Sequence, residues 1–366
     1  MTKAADLAYM EMAYGLAEKA RGRSSPNPLV GAVIVRDGRI VGCGYHEEAG
    51  KPHAEIIALR QAGRRAKGAT LYLTLEPCVH WGRTPPCLTS VLAADLSRAV
   101  ISACDANPIV HRKGIRGLRQ AGLDVSVGLL KERNARLNEA YIKYITKRIP
   151  FVTLKAAMSL DGKTASRTGD ARWISAAGTR DYVHLLRGEN DALMVGVNTL
   201  LRDDPLLTVR HPSWGAKKVT RVVLDSRLRF PPTARILGTL HRGPVIVFAG
   251  GDAPQAKAAA LRDKGVEVIR LDRSPRGAGL EAVLAELGRR AISSLLVEGG
   301  SRLHTSFIER KLADKIIVTI SPKLIGGRDA PGLWRGEGVD KVQAALVLKN
   351  VRSFGLGDDL ILEGYF

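Results

Sequence analysis

The chain has 366 residues, enough for about two domains. Hydrophobic residues make up 45% and charged residues 25%, which excludes wholesale disorder, and no apolar run approaches the ~20 residues that span a bilayer. Net charge is +20, from 56 basic and 36 acidic residues, a balance that first suggests nucleic acid. The charge is spread evenly, however. Residues 1–148 carry 23 basic and 13 acidic side chains and residues 149–366 carry 33 and 23, a net of +10 for each part. Phosphorylated small ligands account for such an excess equally well, so no nucleic-acid partner is expected. Asp6, Glu11 and Glu18 interrupt the N-terminal apolar positions, so no secretory leader is expected. Four cysteines are too few for a disulfide scaffold. A cytoplasmic protein with no membrane partner is the expectation.

Residues 6–21 place Leu7, Met10, Tyr14 and Ala17 at a helical period. Strands are predicted over 30–35 and 39–45, around Asp37-Gly38, a strong hairpin signal. Helix and strand then alternate: helix 53–65, strand 70–75, helix 86–94, strand 99–103, helix 114–121, strand 124–127, helix 131–144. The pattern restarts after Ile149-Pro150 with strand 151–157. It continues through helix 176–186, strands 191–195, 221–224 and 245–248, helix 255–264 and strand 266–270. Helix 280–289, strand 294–297, helix 301–311 and strand 315–321 follow. This order predicts two α/β domains, 1–148 and 149–366, each a sheet covered by helices.

Chemistry concentrates first at His53-Ala54-Glu55, Pro77-Cys78 and Cys87. One imidazole and two thiolates make a three-ligand zinc set with the fourth position left for water. Zinc lowers the pKa of that water towards ~7, and Glu55, two residues from His53, is placed to shuttle its proton to the departing amine. His53 opens one predicted helix and Cys78 lies before another, where positive helix ends favour a thiolate. A closed structural site with His80 as fourth ligand is the alternative, and it leaves Glu55 without a purpose.

The segment Pro77-Cys78-Val79-His80-Trp81-Gly82-Arg83-Thr84-Pro85-Pro86-Cys87 resembles the deaminase half of the bifunctional riboflavin-biosynthesis deaminase/reductases. So do Ser25-Pro26-Asn27-Pro28-Leu29-Val30-Gly31, Gly44-Tyr45-His46 and Asp105-Ala106-Asn107-Pro108. The resemblance implies an N-terminal cytidine-deaminase-like α/β/α domain holding one zinc per chain. It also implies a phosphoribosylated diaminopyrimidinone substrate, with His80, Arg83 and Asn107 as candidate contacts. Arg112 stands where that family usually has the first glycine of Gly-x-Gly, which puts the loop conformation in question.

From Phe151 onward, Leu154-Lys155-Ala156-Ala157-Met158-Ser159-Leu160-Asp161-Gly162-Lys163-Thr164 resembles the reductase half of the same family. Val195-Gly196-Val197-Asn198-Thr199-Leu200 and Val297-Glu298-Gly299-Gly300 fit it too. Two glycines between a strand and a helix N-terminus let backbone N–H groups approach a phosphate, although the Gly-x-Gly-x-x-Gly fingerprint is absent. The resemblance implies a C-terminal dihydrofolate-reductase-like α/β domain. NADPH contacts are implied at Ala157, Trp173, Thr199, Asp203, Ser226, Gly300, Ser301, Arg302, Leu303, His304, Thr305 and Ser306. Substrate contacts are implied at Arg187, Leu207, Arg210 and Glu298. Arg187 and Arg210 are expected to grip the 5′-phosphate, and Lys155 and Asp203 to orient the sugar or move a proton. Ala171 occupies the place of a substrate-binding serine, with Thr168 nearby.

The resulting expectation is hydrolytic deamination followed by NADPH reduction, in a homo-oligomer. A tRNA-editing deaminase with a basic RNA-binding half is a competing reading, opposed by the reductase motifs. Loss of one activity is another, supported only by Arg112 and Ala171.

Overall fold

The computed structural model describes residues 2–82, 85–215, 217–274 and 277–366, and the chain divides into two compact units, Met1–Arg148 and Ile149–Phe366. The first contains α1 (Lys3–Glu18), β1 (Gly31–Arg36), β2 (Arg39–Tyr45), α2 (Ala54–Ala62), β3 (Thr70–Leu75) and α3 (Cys87–Leu92). Then come β4 (Arg98–Ala103), α4 (Lys113–Gln120), β5 (Asp124–Val127), α5 (Lys131–Leu137) and α6 (Glu139–Lys147). The sheet order is β2-β1-β3-β4-β5, with β1 antiparallel to both neighbours and β3, β4 and β5 parallel. Asp37 and Gly38 both have positive φ, the type I′ turn whose twist suits a two-residue hairpin.

Strand alternation sorts this unit's core onto two faces. Ala32, Ile34, Leu71 and Leu73 pack with α2, α3 and α4, whereas Val33, Val35, Tyr72 and Val100 pack with Met10, Tyr14 and Leu137. The helix predicted over 131–144 is broken at Asn138. There the side-chain amide takes the Leu29 N–H at 2.7 Å and donates to the Leu29 carbonyl at 3.1 Å. Pairing a buried main-chain segment outweighs helix continuity at that point.

The second unit contains β6 (Phe151–Ser159), α7 (Ala177–Glu189), β7 (Ala192–Gly196), α8 (Val197–Asp203), β8 (Thr220–Leu224), β9 (Val245–Gly250), α9 (Gln255–Asp263) and β10 (Glu267–Leu271). A two-residue ladder, β11 (Arg273–Ser274) with β12 (Gly277–Ala278), precedes α10 (Leu280–Arg289), β13 (Ser294–Val297), α11 (Ser301–Glu309), β14 (Lys315–Ser321), β15 (Lys349–Leu356) and β16 (Asp359–Tyr365). The nine-stranded order is β10-β9-β8-β7-β13-β6-β14-β16-β15. Strands β10 to β14 in that row are parallel, and β16 and β15 add antiparallel at one edge. Leu193, Val195, Val223 and Val247 face one core with α8 and α9, while Ala192, Met194, Val222 and Ile246 face the other with α10. Burial on both faces explains why these strands read as continuous apolar runs. The α/β class holds for both units, and α8 and the β15–β16 hairpin are additions to the predicted elements.

Candidate active sites

In the first unit, α2 lies against β2 at backbone distance. A Cβ on Gly42 would meet Ala58 O at 2.2 Å and one on Gly44 would meet Ala54 O at 2.6 Å, so glycine is required at both places. That contact fixes the start of α2, where His53 is the N-cap and Glu55 the second helical residue. Cys78 follows β3 in an irregular loop, and it is Cys87, rather than Cys78, that adjoins the next helix, as the first residue of α3. His53 Nδ1 stands 3.1 Å from Cys87 Sγ and 3.6 Å from Cys78 Sγ, and the Cys87 N–H donates to Cys78 Sγ at 3.3 Å. The three ligand atoms all lie within 4.8 Å of one another.

Contact between the sulfurs, aided by His53, holds the Cys78 thiol down at about 4. The same contact, with burial, pushes Cys87 up. Two sulfurs and an imidazole nitrogen that converge this closely make a place a dication fills. His/Cys/Cys is a donor set that fits zinc with one position open. Among the described residues the cluster does not include His80, so that imidazole does not close the site. Glu55 is buried beside these ligands, and burial raises its carboxyl above the usual carboxylate range.

Residues around the cluster are themselves fixed. His46 donates from Nδ1 to the Pro52 carbonyl at 3.2 Å and accepts at Nε2 from Asn27 Nδ2 at 3.0 Å, and burial keeps the ring neutral. Its ring stands edge-on to His53 with centroids 5.0 Å apart. Glu76, which the sequence reading did not single out, is buried and accepts the main-chain N–H groups of Asp105 at 2.8 Å and Arg112 at 2.7 Å. Arg112 adopts φ 59°, the left-handed conformation a glycine would supply, so the loop keeps its course despite the substitution. Gly114 answers the second glycine: a Cβ there would lie 2.2 Å from Pro77 O, beside Cys78. Asn107 stays in this loop through Asp105 Oδ1, which accepts its N–H at 2.8 Å. Arg83 lies outside the described residues.

In the second unit a cleft of about 1480 Å³ opens where β7 and β13, adjacent and parallel, lead into α8 and α11. Ligands of open parallel sheets bind beyond the carboxyl ends of the strands, and this volume exceeds that of a single small-ligand pocket. The cleft is lined by Lys155, Ala157, Ala171, Trp173, Arg187, Thr199, Asp203, Leu207, Arg210, Glu298 and 300–304. Gly300 caps α11, and a Cβ there would project into open space, so the helix start is bare for a phosphate. Nine arginines and five carboxylates line the walls, which favours polyanionic ligands such as a dinucleotide phosphate. Among the described residues, Ser226, Thr305 and Ser306 do not reach the cleft. Thr305 Oγ1 instead accepts the Arg335 N–H at 2.9 Å, and the Ser306 hydroxyl bonds back to Arg302 O at 3.0 Å.

At one wall Arg187 grips Glu298 with both prongs, Nε to Oε1 at 2.5 Å and Nη2 to Oε2 at 2.8 Å, and donates from Nη1 to the Thr208 carbonyl at 3.2 Å. Burial alone would raise the Glu298 carboxyl, but the charges of Arg187 and Lys155 more than offset it and hold it at about 2. Lys155 stands half-buried beside them, and desolvation lowers its pKa. Arg187 thus spends three of its five N–H donors on Glu298 and Thr208, whereas Arg210 spends one, on the Thr208 hydroxyl. Asp203 is half-buried and raised by burial, and Arg172 donates to its carbonyl. Trp173 is exposed, with Arg180 stacked 4.7 Å from its ring centre. Thr168 and Ser166 hydroxyls, 2.9 Å apart, line the same edge as Ala171. Sequence reading missed Arg172, Arg180, His184, Arg202 and Arg235, which join the cleft only through the fold.

Residues 3–103 match the cytidine and deoxycytidylate deaminase zinc-binding region, and residues 150–362 match the RibD C-terminal domain. The chain is 44% identical over 363 residues to the riboflavin biosynthesis protein RibD of Aquifex aeolicus, covering 99% of each. It is 40% identical over 369 residues to that of Escherichia coli, covering 97% of this chain and 98% of the other. Among solved structures, Acinetobacter baumannii RibD superposes with TM-score 0.87 at 36% identity, covering 99% of both chains. The diaminohydroxyphosphoribosylaminopyrimidine deaminase/5-amino-6-(5-phosphoribosylamino)uracil reductase of Thermotoga maritima superposes with TM-score 0.85 at 34% identity, again covering 99% of both.

Proposed function

Since this chain belongs to the RibD family of riboflavin-biosynthesis proteins, we propose that each of its two reactions is carried by one unit, 1–148 deaminating and 149–366 reducing. The protein is a zinc-dependent deaminase and NADPH-dependent reductase. It converts 2,5-diamino-6-(5-phosphoribosylamino)pyrimidin-4-one to the uracil derivative and then reduces the ribosyl side chain to ribityl. The assignment to residues rests on one observation: each unit holds its own largely enclosed cluster of ionisable groups, His53–Glu55–Cys78–Cys87 in one and Lys155–Arg187–Glu298 in the other.

In the deaminase site His53, Cys78 and Cys87 hold the metal. Zinc bound there supplies a water acidic enough to act as a nucleophile near neutral pH. Glu55 takes a proton at its carboxylate and returns it to the amino group that leaves; a carboxyl raised by burial suits that two-way transfer. Neutral His46 and Asn27 keep the wall beside His53 in one arrangement.

In the reductase site the start of α11, with Thr199, Asp203 and Trp173, holds the cofactor. NADPH supplies the hydride. Arg210 binds the substrate phosphate, Glu298 orients the sugar hydroxyls, and Lys155 donates the proton that the ribose oxygen requires as the ring opens. The test uses two variants. Glu55→Gln should lose deamination by ~10²-fold or more while still oxidising NADPH with the deaminated intermediate. Arg210→Ala should do the reverse, through a raised KM for that intermediate, and the two variants mixed should restore the full conversion. Loss of both activities in folded Glu55→Gln protein would sink the division of labour.

The chain functions in the cytoplasm as a homo-oligomer, without nucleic-acid or membrane partners. Free cysteines and a metal thiolate site suit a reducing compartment, and no described helix is long and apolar enough to cross a membrane. Exposed Val342, Val347 and Val351, on and before the edge strand β15, supply an apolar face for a second copy. Sedimentation of Val347→Lys and Val351→Lys proteins as the wild-type species would count against that face.

A further inference from the structure

Arg187 and Arg210 meet at one residue. The Thr208 carbonyl takes Arg187 Nη1 and the Thr208 hydroxyl takes Arg210 Nη1 at 3.1 Å. Arg187 then turns to Glu298 and its charge is balanced there. Arg210 lines the cleft and forms no ion pair with a carboxylate among the described residues, and Arg235 lines the same cleft. The main chain of Arg235 is pinned by its N–H to Asp204 Oδ1 at 2.9 Å, while its guanidinium makes no hydrogen bond or ion pair among the described residues. The two guanidinium charges are near enough that Arg235, after burial and Arg187, lowers the pKa of Arg210. His184 lies one turn before Arg187 on α7 and faces the same cleft. Its Nδ1 is buried without a partner.

We propose that His184 and Arg235 complete, with Arg210, the subsite for the 5′-phosphate of the reductase substrate. This rests on the reductase reading above and deepens it. A phosphate monoester presents three terminal oxygens, and the cluster presents two forked cations and one imidazole. His184 stays neutral: burial and the charges of Arg187 and Arg210 hold it at about 4, against the weaker opposing pull of Glu298 and Asp181. A neutral imidazole carries one ring N–H, the group it would offer to a phosphate oxygen. The bond from Arg210 to Thr208 places the phosphate next to the Glu298–Lys155 wall, where the sugar must lie to be reduced.

The same chemistry would suit the 2′-phosphate of the cofactor, so the test separates the two phosphates. Reductase kinetics of wild type, Arg235→Ala, His184→Phe and His184→Asn are measured with the deaminated intermediate and with each of NADPH and NADH. Arg235→Ala should raise KM for the intermediate about tenfold, with kcat changed less than about twofold and KM for NADPH unchanged. Inhibition by inorganic phosphate, competitive with the intermediate in wild type, should weaken in parallel. His184→Phe should raise the same KM, and His184→Asn, which keeps a donor, should recover part of it. An unchanged KM for the intermediate in Arg235→Ala overturns the proposal. So does a raised KM for NADPH with NADH unaffected, which would give the cluster to the cofactor. Failure of the reductase reading itself would look different, since wild type would then not oxidise NADPH with the intermediate at all.

Discussion

Glu298→Gln keeps the shape of a buried side chain and removes the one charge that balances Arg187. The carboxylate accepts both prongs of Arg187 inside the cleft wall, with Lys155 half-buried alongside. Its pKa falls from 4.5 to about 2, because the Arg187 and Lys155 charges overcome the opposing effect of burial. A carboxylate depressed in this way contributes stability above its unfolded pKa and loses it as pH falls towards the folded value. Each unit of difference is worth 1.36 kcal/mol, so the contribution is about 3 kcal/mol at pH 7 and about 2 kcal/mol at pH 3.5. The amide leaves Arg187 without its counter-charge, with the Thr208 carbonyl still in place, a kind of loss that costs about 3–5 kcal/mol. Lys155 limits the damage, since its burial already favours the neutral form and it can release its proton where Arg187 cannot. The net expectation is a loss of about 3 kcal/mol at pH 7 that shrinks as the pH is lowered. Three of the four tryptophans, Trp173, Trp214 and Trp334, lie in the second unit. Urea unfolding followed by tryptophan fluorescence at pH 7 and pH 3.5 therefore reports on the affected unit. A variant within about 0.5 kcal/mol of wild type at pH 7, or a deficit that does not change between the two pH values, would refute the reasoning.

Cys87→Ser should lower zinc from one per chain to well under half by metal analysis, and full retention would place the ligands elsewhere. NADPH should exceed NADH in kcat/KM by more than about tenfold. Asp225 is turned inward, with Oδ2 accepting the Phe230 N–H at 2.7 Å, so it presents no carboxylate to a free ribose hydroxyl; equal values for the two cofactors would defeat this. Arg112→Gly should be neutral or stabilising by up to ~1 kcal/mol, because glycine relieves a left-handed backbone while the N–H to Glu76 remains. A faster thermal loss of deaminase activity in that variant would mean that the arginine side chain, rather than its N–H, holds the loop.

Local chemistry was legible in the sequence wherever the reacting groups sit on neighbouring turns of chain. His53, Glu55, Cys78 and Cys87 fall within 35 residues, and zinc ligation constrains their types so tightly that spacing and identity sufficed. The reductase site is different in kind. Arg187 and Glu298 are 111 positions apart, and nothing in either segment says that the two ions neutralise each other. The sequence offers Arg187 only as an isolated arginine, and only the packing of α7 near the end of β13 shows that it also pairs with Glu298. Polar side chains with interior duties hid two further features from pattern reading. Asn138 breaks a helix because it must pair Leu29, and β16 turns Asp359, Ile361 and Glu363 inward. Two of those three are acidic: Asp359 caps α7 through the Ala176 N–H and the Thr179 hydroxyl, and Glu363 receives Tyr182 and Arg352. A strand whose buried face is charged has no apolar alternation to read, and its neighbour β15 is exposed along nearly its whole length. The hairpin becomes legible only once the groups those carboxylates serve are in place.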